Sequence, residues 1–171
     1  MNLRDARRVS RDTYVNWTTR AIPQAGDLIL AREAPVGNVA VVPENTELCL
    51  GQRTVLLRPD PELVVARYLC YLLLGNSVQH TFHSLASGAT VPHLNLSDIR
   101  KLELLLPSLP TQHKIASILS AYDDLIENNT RRIKILEEMA QTIYREWFVH
   151  FRYPGHEDVP MVDSELGQIP Q

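Results

Sequence analysis

Between Pro110 and Pro154 the chain carries neither proline nor glycine, and from Ile115 to Trp147 its apolar residues return every three or four positions. Ile115, Ile118, Leu119, Tyr122, Leu125, Ile126, Ile133, Leu136, Met139, Ala140, Ile143, Tyr144 and Trp147 fall on one face of an α-helix. Thr111 is placed to cap it, and Pro107 and Pro110 keep the chain extended before it. At 1.5 Å per residue this helix is roughly 55 Å long, more than the diameter of a domain of this size. The expectation is a projecting helix whose apolar stripe needs a cover, and the spacing suits a coiled-coil seam. Asn128 and Asn129 interrupt the stripe near its middle. Asn129 reads either as a surface residue or as a polar position that fixes register with a partner.

Ahead of that helix the pattern changes. After the Gly26-Asp27 turn, "LILAR", "GNVAVVP" and "LCLGQRTVLLRP" are short β-rich runs separated by Pro35-Val36-Gly37 and by the polar "ENTE", and they read as strands of one small sheet. In "DPELVVARYLCYLLLGN" Asp60 stands at an N-cap, Pro61 at the first helical position and Gly75 just past the end. A second short helix is expected from Ser77 to about Ala86. "SGATVPH" is then a loop whose Gly88 can take positive φ, and "NLSDIRKLELLLP" reads as a Ser97-capped helical turn followed by a closing strand. The tail after Phe151 has Pro, Gly and acids without apolar periodicity and reads as a linker. The expected class is therefore α+β (mixed α/β): a small sheet-containing domain over residues 1–109, a long helix over 110–151 and a tail over 152–171.

Charge and missing motifs narrow the function. The net charge is −3, which argues against binding nucleic acid by bulk charge alone. Its distribution is uneven: residues 1–58 carry eight basic and six acidic side chains, whereas 111–171 carry six and ten. A nucleic-acid face is thus expected in the first half. The glycines at 26, 37, 51, 75, 88, 155 and 167 assemble no phosphate loop. Asp60 and Glu62 lack the neighbouring Lys of a nuclease site and read as helix-cap chemistry, and Cys70, His80 and His83 lack a fourth metal ligand. Cys49 in "LCLG" reads as a buried strand residue. No catalytic constellation, metal site or cofactor is expected. Neither an apolar run of membrane-spanning length nor a signal-peptide pattern is present, and the expected compartment is the cytoplasm.

What remains is polar chemistry near loops. Arg32 after the first strand, Asn38 in "PVGN", Gln52 and Arg53 in "GQRT", and Arg100 are side-chain types that bond base edges or phosphates. Ser87, Thr90 and His93 lie in a glycine-containing loop suited to phosphate. With Gln52 and Arg53 adjacent on a strand, only one of the two should face a given ligand.

These residues, taken together, resemble a known family. "GDLILAREAPVGNVAVVP", "LGQRTVLLRP", "SGATVPHLNLSDIRKLELLLPSLPTQHKIASIL" and "LIENNTRRIKILEEMAQTIYREWFVHF" are similar, in order and spacing, to the specificity subunits of Type I restriction-modification enzymes. The likeness runs from about Val9 to Pro170. It implies a target recognition domain that reads one half of a split DNA sequence. It also implies a helix that packs against a second such helix and docks modification (methyltransferase) subunits, with a restriction subunit as a further partner. The family usually carries two recognition domains and two helices, and this chain has one of each. The start lacks the first strands expected of a recognition domain, and "DSELGQIPQ" resembles the joint before a second one. A fragment and a self-pairing half-subunit are both compatible with that. The alternative is a helical assembly protein with no DNA role, favoured by the acidic C-terminal third; a nuclease or methyltransferase in its own right would need motifs that are missing.

Overall fold

The computed structural model describes residues 6–88, 91–165 and 167–171. The elements are α1 (Arg11–Trp17), β1 (Leu28–Ala31), β2 (Val39–Val41), β3 (Thr54–Leu57), α2 (Ala66–Leu74), α3 (Asn76–Leu85), α4 (Leu96–Arg100) and α5 (Leu109–Tyr144). A π-helical turn Arg145–Val149 ends α5, and a 3₁₀ turn His156–Asp158 precedes β4 (Met161–Ser164) and β5 (Gly167–Pro170). The class is α+β, as expected. Contacts divide the chain into two compact units, one ending at Ser120 and one beginning at Ala121.

In the first unit β1 is the middle strand of an antiparallel sheet ordered β2-β1-β3, with Leu28 paired to Val41 on one side and to Leu57 on the other. Leu28 and Leu30 alternate with Ile29 and Ala31, so one face of the strand is fully buried. That face packs with Val36, Cys70, Leu73, Val78, Phe82 and Leu94 into the main core. Burying side chains the size of Leu or Phe contributes about 1.5–3 kcal/mol each, so these residues anchor the domain. The turn between β1 and β2 is held on α3 by Gln79, whose Nε2 donates to the carbonyls of Gly37 (2.8 Å) and Leu73 (2.7 Å). Gly37 has φ +91°, and a Cβ there would sit 2.5 Å from the Gln79 Oε1, so only glycine fits.

Several expectations need correction. Asp60 caps a separate turn: its Oδ1 accepts from the Glu62 N–H, its carbonyl accepts from the N–H groups of Leu63 and Val64, and α2 begins only at Ala66. Gly75 does close α2, and α3 begins one residue earlier than expected. Gln52 and Arg53 lie in the turn before β3, because the strand ladder with β1 starts at Thr54. Cys49 is half-buried in irregular chain rather than in a strand. The position before α4 belongs to Asn95 and Ser97 is inside the helix. Leu102 and Leu104 pack on the core while Leu105 faces out, yet this extended run has no ladder partner among the described residues. Ser108, not Thr111, precedes α5: its carbonyl accepts from the N–H groups of Thr111 and Gln112, and its hydroxyl lies 3.1 Å from that of Thr111.

In the second unit, α5 runs on as unbroken helix and ends at a bidentate pair. Arg152 Nε and Nη2 donate to the two carboxylate oxygens of Glu146 (2.6 Å each), while the Arg152 N–H reaches the Glu146 carbonyl. These hydrogen bonds hold the Glu146 carboxyl below the usual range. The tail folds further than its composition suggested: β4 and β5 pair antiparallel, Met161 opposite Pro170. No helix among the described residues is long and apolar enough to cross a membrane.

Candidate nucleic-acid interface and helix face

The end of β1 gathers most of the predicted polar residues. The Arg32 N–H donates to the Arg53 carbonyl (2.8 Å), the Arg32 carbonyl accepts from the Leu94 N–H (2.9 Å), and the Arg32 Nε donates to the Leu94 carbonyl (2.8 Å). His93 and Ser87 exchange both backbone hydrogen bonds, and Glu33 bridges to His93. The Asn38 carbonyl accepts from the Ala31 N–H across the β1–β2 turn and its side chain is exposed. Gln52 and Arg53 are exposed in the neighbouring turn. Arg32, Asn38, Gln52, Arg53, Ser87 and His93 therefore meet where three loops converge on one strand end. Thr90 lies outside the described residues. Arg100, exposed in the last turn of α4, has no bond to this group among the described residues.

Glycine shapes that loop cluster. Gly88 has φ +121°, and a Cβ would lie 2.6 Å from the Val91 carbonyl oxygen, so a side chain would force the loop apart. The charges here are loosely held: Arg53 Nε stands 3.6 Å from Glu33 Oε1, with the arginine side chain mostly exposed. A guanidinium in that state keeps its donors for an incoming anion or base edge.

Two polar residues not singled out in the sequence prove structurally central. Asp27 is almost fully buried and takes Nε (2.8 Å) and Nη2 (2.6 Å) from Arg58, plus the Gln24 N–H (2.8 Å). The Arg58 hydrogen bonds hold its carboxyl below the ordinary range; burial opposes this and the Gln24 N–H adds to it. Gln112 is wholly buried at the start of α5, bonded to the backbone of Leu63, Val65 and Pro107. Neither stands out by periodicity or local motif; only its partners, far away in sequence, reveal it.

A cleft of about 890 Å³ beside α1 is lined by Arg7, Arg8, Arg11, Tyr14, Cys49 and Gly51 among others. Arg11 spans it, reaching both carboxylate oxygens of Glu47 at 3.1 Å and lying 5.0 Å from the Tyr14 ring. Along α5 and the π-helical turn that ends it the predicted stripe is exposed throughout: Ile118, Tyr122, Leu125, Ile126, Ile133, Leu136, Met139, Ala140, Ile143, Tyr144 and, in the turn, Trp147 are all open, with Ile115 and Leu119 least so. Asn129 lies on the stripe three residues after Ile126 and four before Ile133, a polar residue at a seam position of the repeat kept by Tyr122, Ile126, Ile133, Leu136, Ala140 and Ile143.

Comparison with known proteins agrees with this architecture. The family model described as Type I restriction modification DNA specificity domain matches residues 8–138. The MjaIX specificity subunit of Methanocaldococcus jannaschii, a Type I restriction enzyme component, is 30% identical over 98% of this chain and 38% of its own length. The HindI specificity subunit of Haemophilus influenzae is 31% identical over 60% of this chain and 23% of its own. This chain thus spans well under half the length of these relatives. The crystal structure of a Type I restriction-modification S subunit from M. genitalium shares the fold, with a TM-score of 0.64 and 24% identity over 74% of this chain and 33% of that one. With the three-stranded sheet, α1 to α4 and most of α5 falling within the matched span, the chain belongs to the family of Type I restriction-modification DNA specificity domains.

Proposed function

We propose that this chain reads one half-site of a split DNA sequence with the loops at the end of β1, and pairs through α5 with a second helix of the same kind. In this reading Arg32, Arg53 and their neighbours meet DNA, while the paired helices set the distance between half-sites and dock modification subunits. The chain contributes recognition; bond-making chemistry belongs to its partners, and it uses no cofactor. The observation that carries the reading is the exposed stripe. Apolar side chains from Ile118 to Trp147 stand open along a single face, more contiguous apolar surface than a lone soluble chain ordinarily leaves in water. A second copy of the same stripe is a matching cover, and a two-fold pair places two recognition domains on one duplex.

Sedimentation of the purified chain tests this. A dimer is expected, and Leu136→Asp should return it to monomer without lowering helix content, because Leu136 touches solvent in the single chain. A monomeric unaltered chain at micromolar concentration would overturn the pairing. Removal or insertion of seven residues within α5 should change the preferred spacer and leave the half-site sequence unaltered.

The assembly reading keeps one supporting observation, the excess of acidic side chains after Thr111. Replacing Arg32, Arg53 and Arg100 together by Ala separates the two: DNA binding is lost if the domain reads DNA and is untouched if the helix is the whole function.

A further inference from the structure

We infer that Gln112 is a positioning residue that fixes the rotational setting of the first turns of α5 on the recognition domain, and with it the direction in which the stripe begins. The inference rests on the half-site reading above and adds to it the residue that would make the spacing exact.

The geometry is specific. The Gln112 side chain is 0% exposed, and its amide uses both ends. Oε1 accepts from the Val65 N–H (2.9 Å), while Nε2 donates to the carbonyls of Leu63 (3.1 Å) and Pro107 (2.9 Å). Val65 is the residue that precedes α2, and α2 has no side-chain cap of its own. Gln112 therefore serves as the acceptor that the start of α2 needs, supplied from another helix. One turn further on, Ala116 is buried against Val64 and Tyr68.

A hydrogen-bonded amide orients in a way that an apolar contact does not. Turning the helix by one residue moves every side chain by 100° and would break all three of these hydrogen bonds, leaving the buried Gln112 amide without them. The start of the stripe follows from that setting. Taking Gln112 and Ala116 as the docked face, Leu119 lies about 40° away, Ile115 about 80° and Ile118 about 140°. Their exposures are 38%, 36% and 61%, so Ile118 points most fully outward and opens the pairing face.

The test is selection from a duplex library carrying two half-sites at varied separation, using the full chain. The unaltered chain should select one half-site sequence and a single spacer length. Gln112→Met keeps the length of the side chain and removes the amide. It should select the same half-site sequence but spread over at least two spacer lengths, with affinity at the original optimum down about tenfold. If that variant does not fold, as judged by its circular dichroism, Gln112→Glu takes its place: it retains an acceptor for the Val65 N–H and loses both donors. An unchanged spacer optimum with affinity lowered equally at every length would mean that Gln112 only stabilises the fold, and would overturn the inference alone. If the unaltered chain selected no half-site at all, the half-site reading and this inference would fall together.

Discussion

Two arginine–carboxylate pairs stand at opposite ends of β1 and differ in every respect that decides what a charge can do. At the start of the strand, Asp27 is buried and receives two hydrogen bonds from Arg58 and one from the Gln24 N–H. Arg58 in turn reaches back to the Ile22 carbonyl, closing the segment before the strand onto β3. At the far end Arg53 and Glu33 approach only to 3.6 Å with the arginine largely in water. A buried charge must keep its partners, because losing them leaves it desolvated and uncompensated. An exposed pair separates at little cost. The first pair is scaffold for that reason, and the second holds a cation that a polyanion can take over.

The largest effect should follow from breaking the closed pair. Asp27→Ala removes both Arg58 hydrogen bonds and the acceptor for the Gln24 N–H, and should lower stability by about 2–3 kcal/mol, the scale of hydrogen bonds to a charged group. Arg58 is half-exposed and can turn to water, which keeps the loss from being larger. Urea unfolding followed by circular dichroism measures it; a shift below 0.5 kcal/mol would place this pair with the exposed one.

A smaller, pH-dependent effect sharpens the same contrast. The Asp27 carboxyl is held below its ordinary value, chiefly by Arg58, so the folded state favours the ionised form. The stability this provides is fully present above the unfolded carboxylate pKa of about 3.9, and is lost as pH falls through the lower folded value. Asp27→Asn cannot titrate. Its melting temperature should therefore be lower than that of the unaltered chain at pH 6, with the gap closing below about pH 4. Glu146 is also held low but is present in both proteins, so the difference between them isolates Asp27. A gap that stayed constant to pH 2 would show that the carboxylate charge contributes nothing.

What the sequence made legible follows from the range over which each signal acts. The stripe of α5 repeats over many turns, and the helix and its apolar positions were readable without coordinates. Strands β1 and β2 were marked as short β-rich runs by the Gly26-Asp27 turn and the Pro35-Val36-Gly37 turn beside them. Gln52 and Arg53 were misplaced on a strand because "GQRTVLLRP" carries no local mark of where the ladder begins; pairing with β1 decides that. Asp27 looked like ordinary turn chemistry, since its partner Arg58 stands 31 residues away, and nothing in the sequence singled out Gln112, whose partner Val65 lies 47 residues back. Periodicity reports which face of an element is apolar, and it is silent on which polar group on the other face will be buried. The candidate interface was readable as residue types near loops, and its convergence on the end of β1 required the fold.

The smallest effect on stability, and the most informative for function, is expected at the open pair. Arg53→Ala leaves the backbone untouched, and it is the Arg53 carbonyl, not the side chain, that receives the Arg32 N–H. Stability should therefore change by less than about 0.5 kcal/mol, as for an exposed ion pair. DNA affinity should fall about tenfold or more if the guanidinium reads a base edge, with altered preference at one position of the half-site. If it meets a phosphate instead, binding should weaken uniformly across sequences, and the dependence of affinity on salt should lose about one unit of slope. Glu33→Gln supplies the converse: releasing Arg53 from its neighbour should leave folding unchanged and raise affinity slightly. Binding measured at two salt concentrations for both variants separates base reading from phosphate contact. Unchanged affinity in both would remove this end of the strand from the interface.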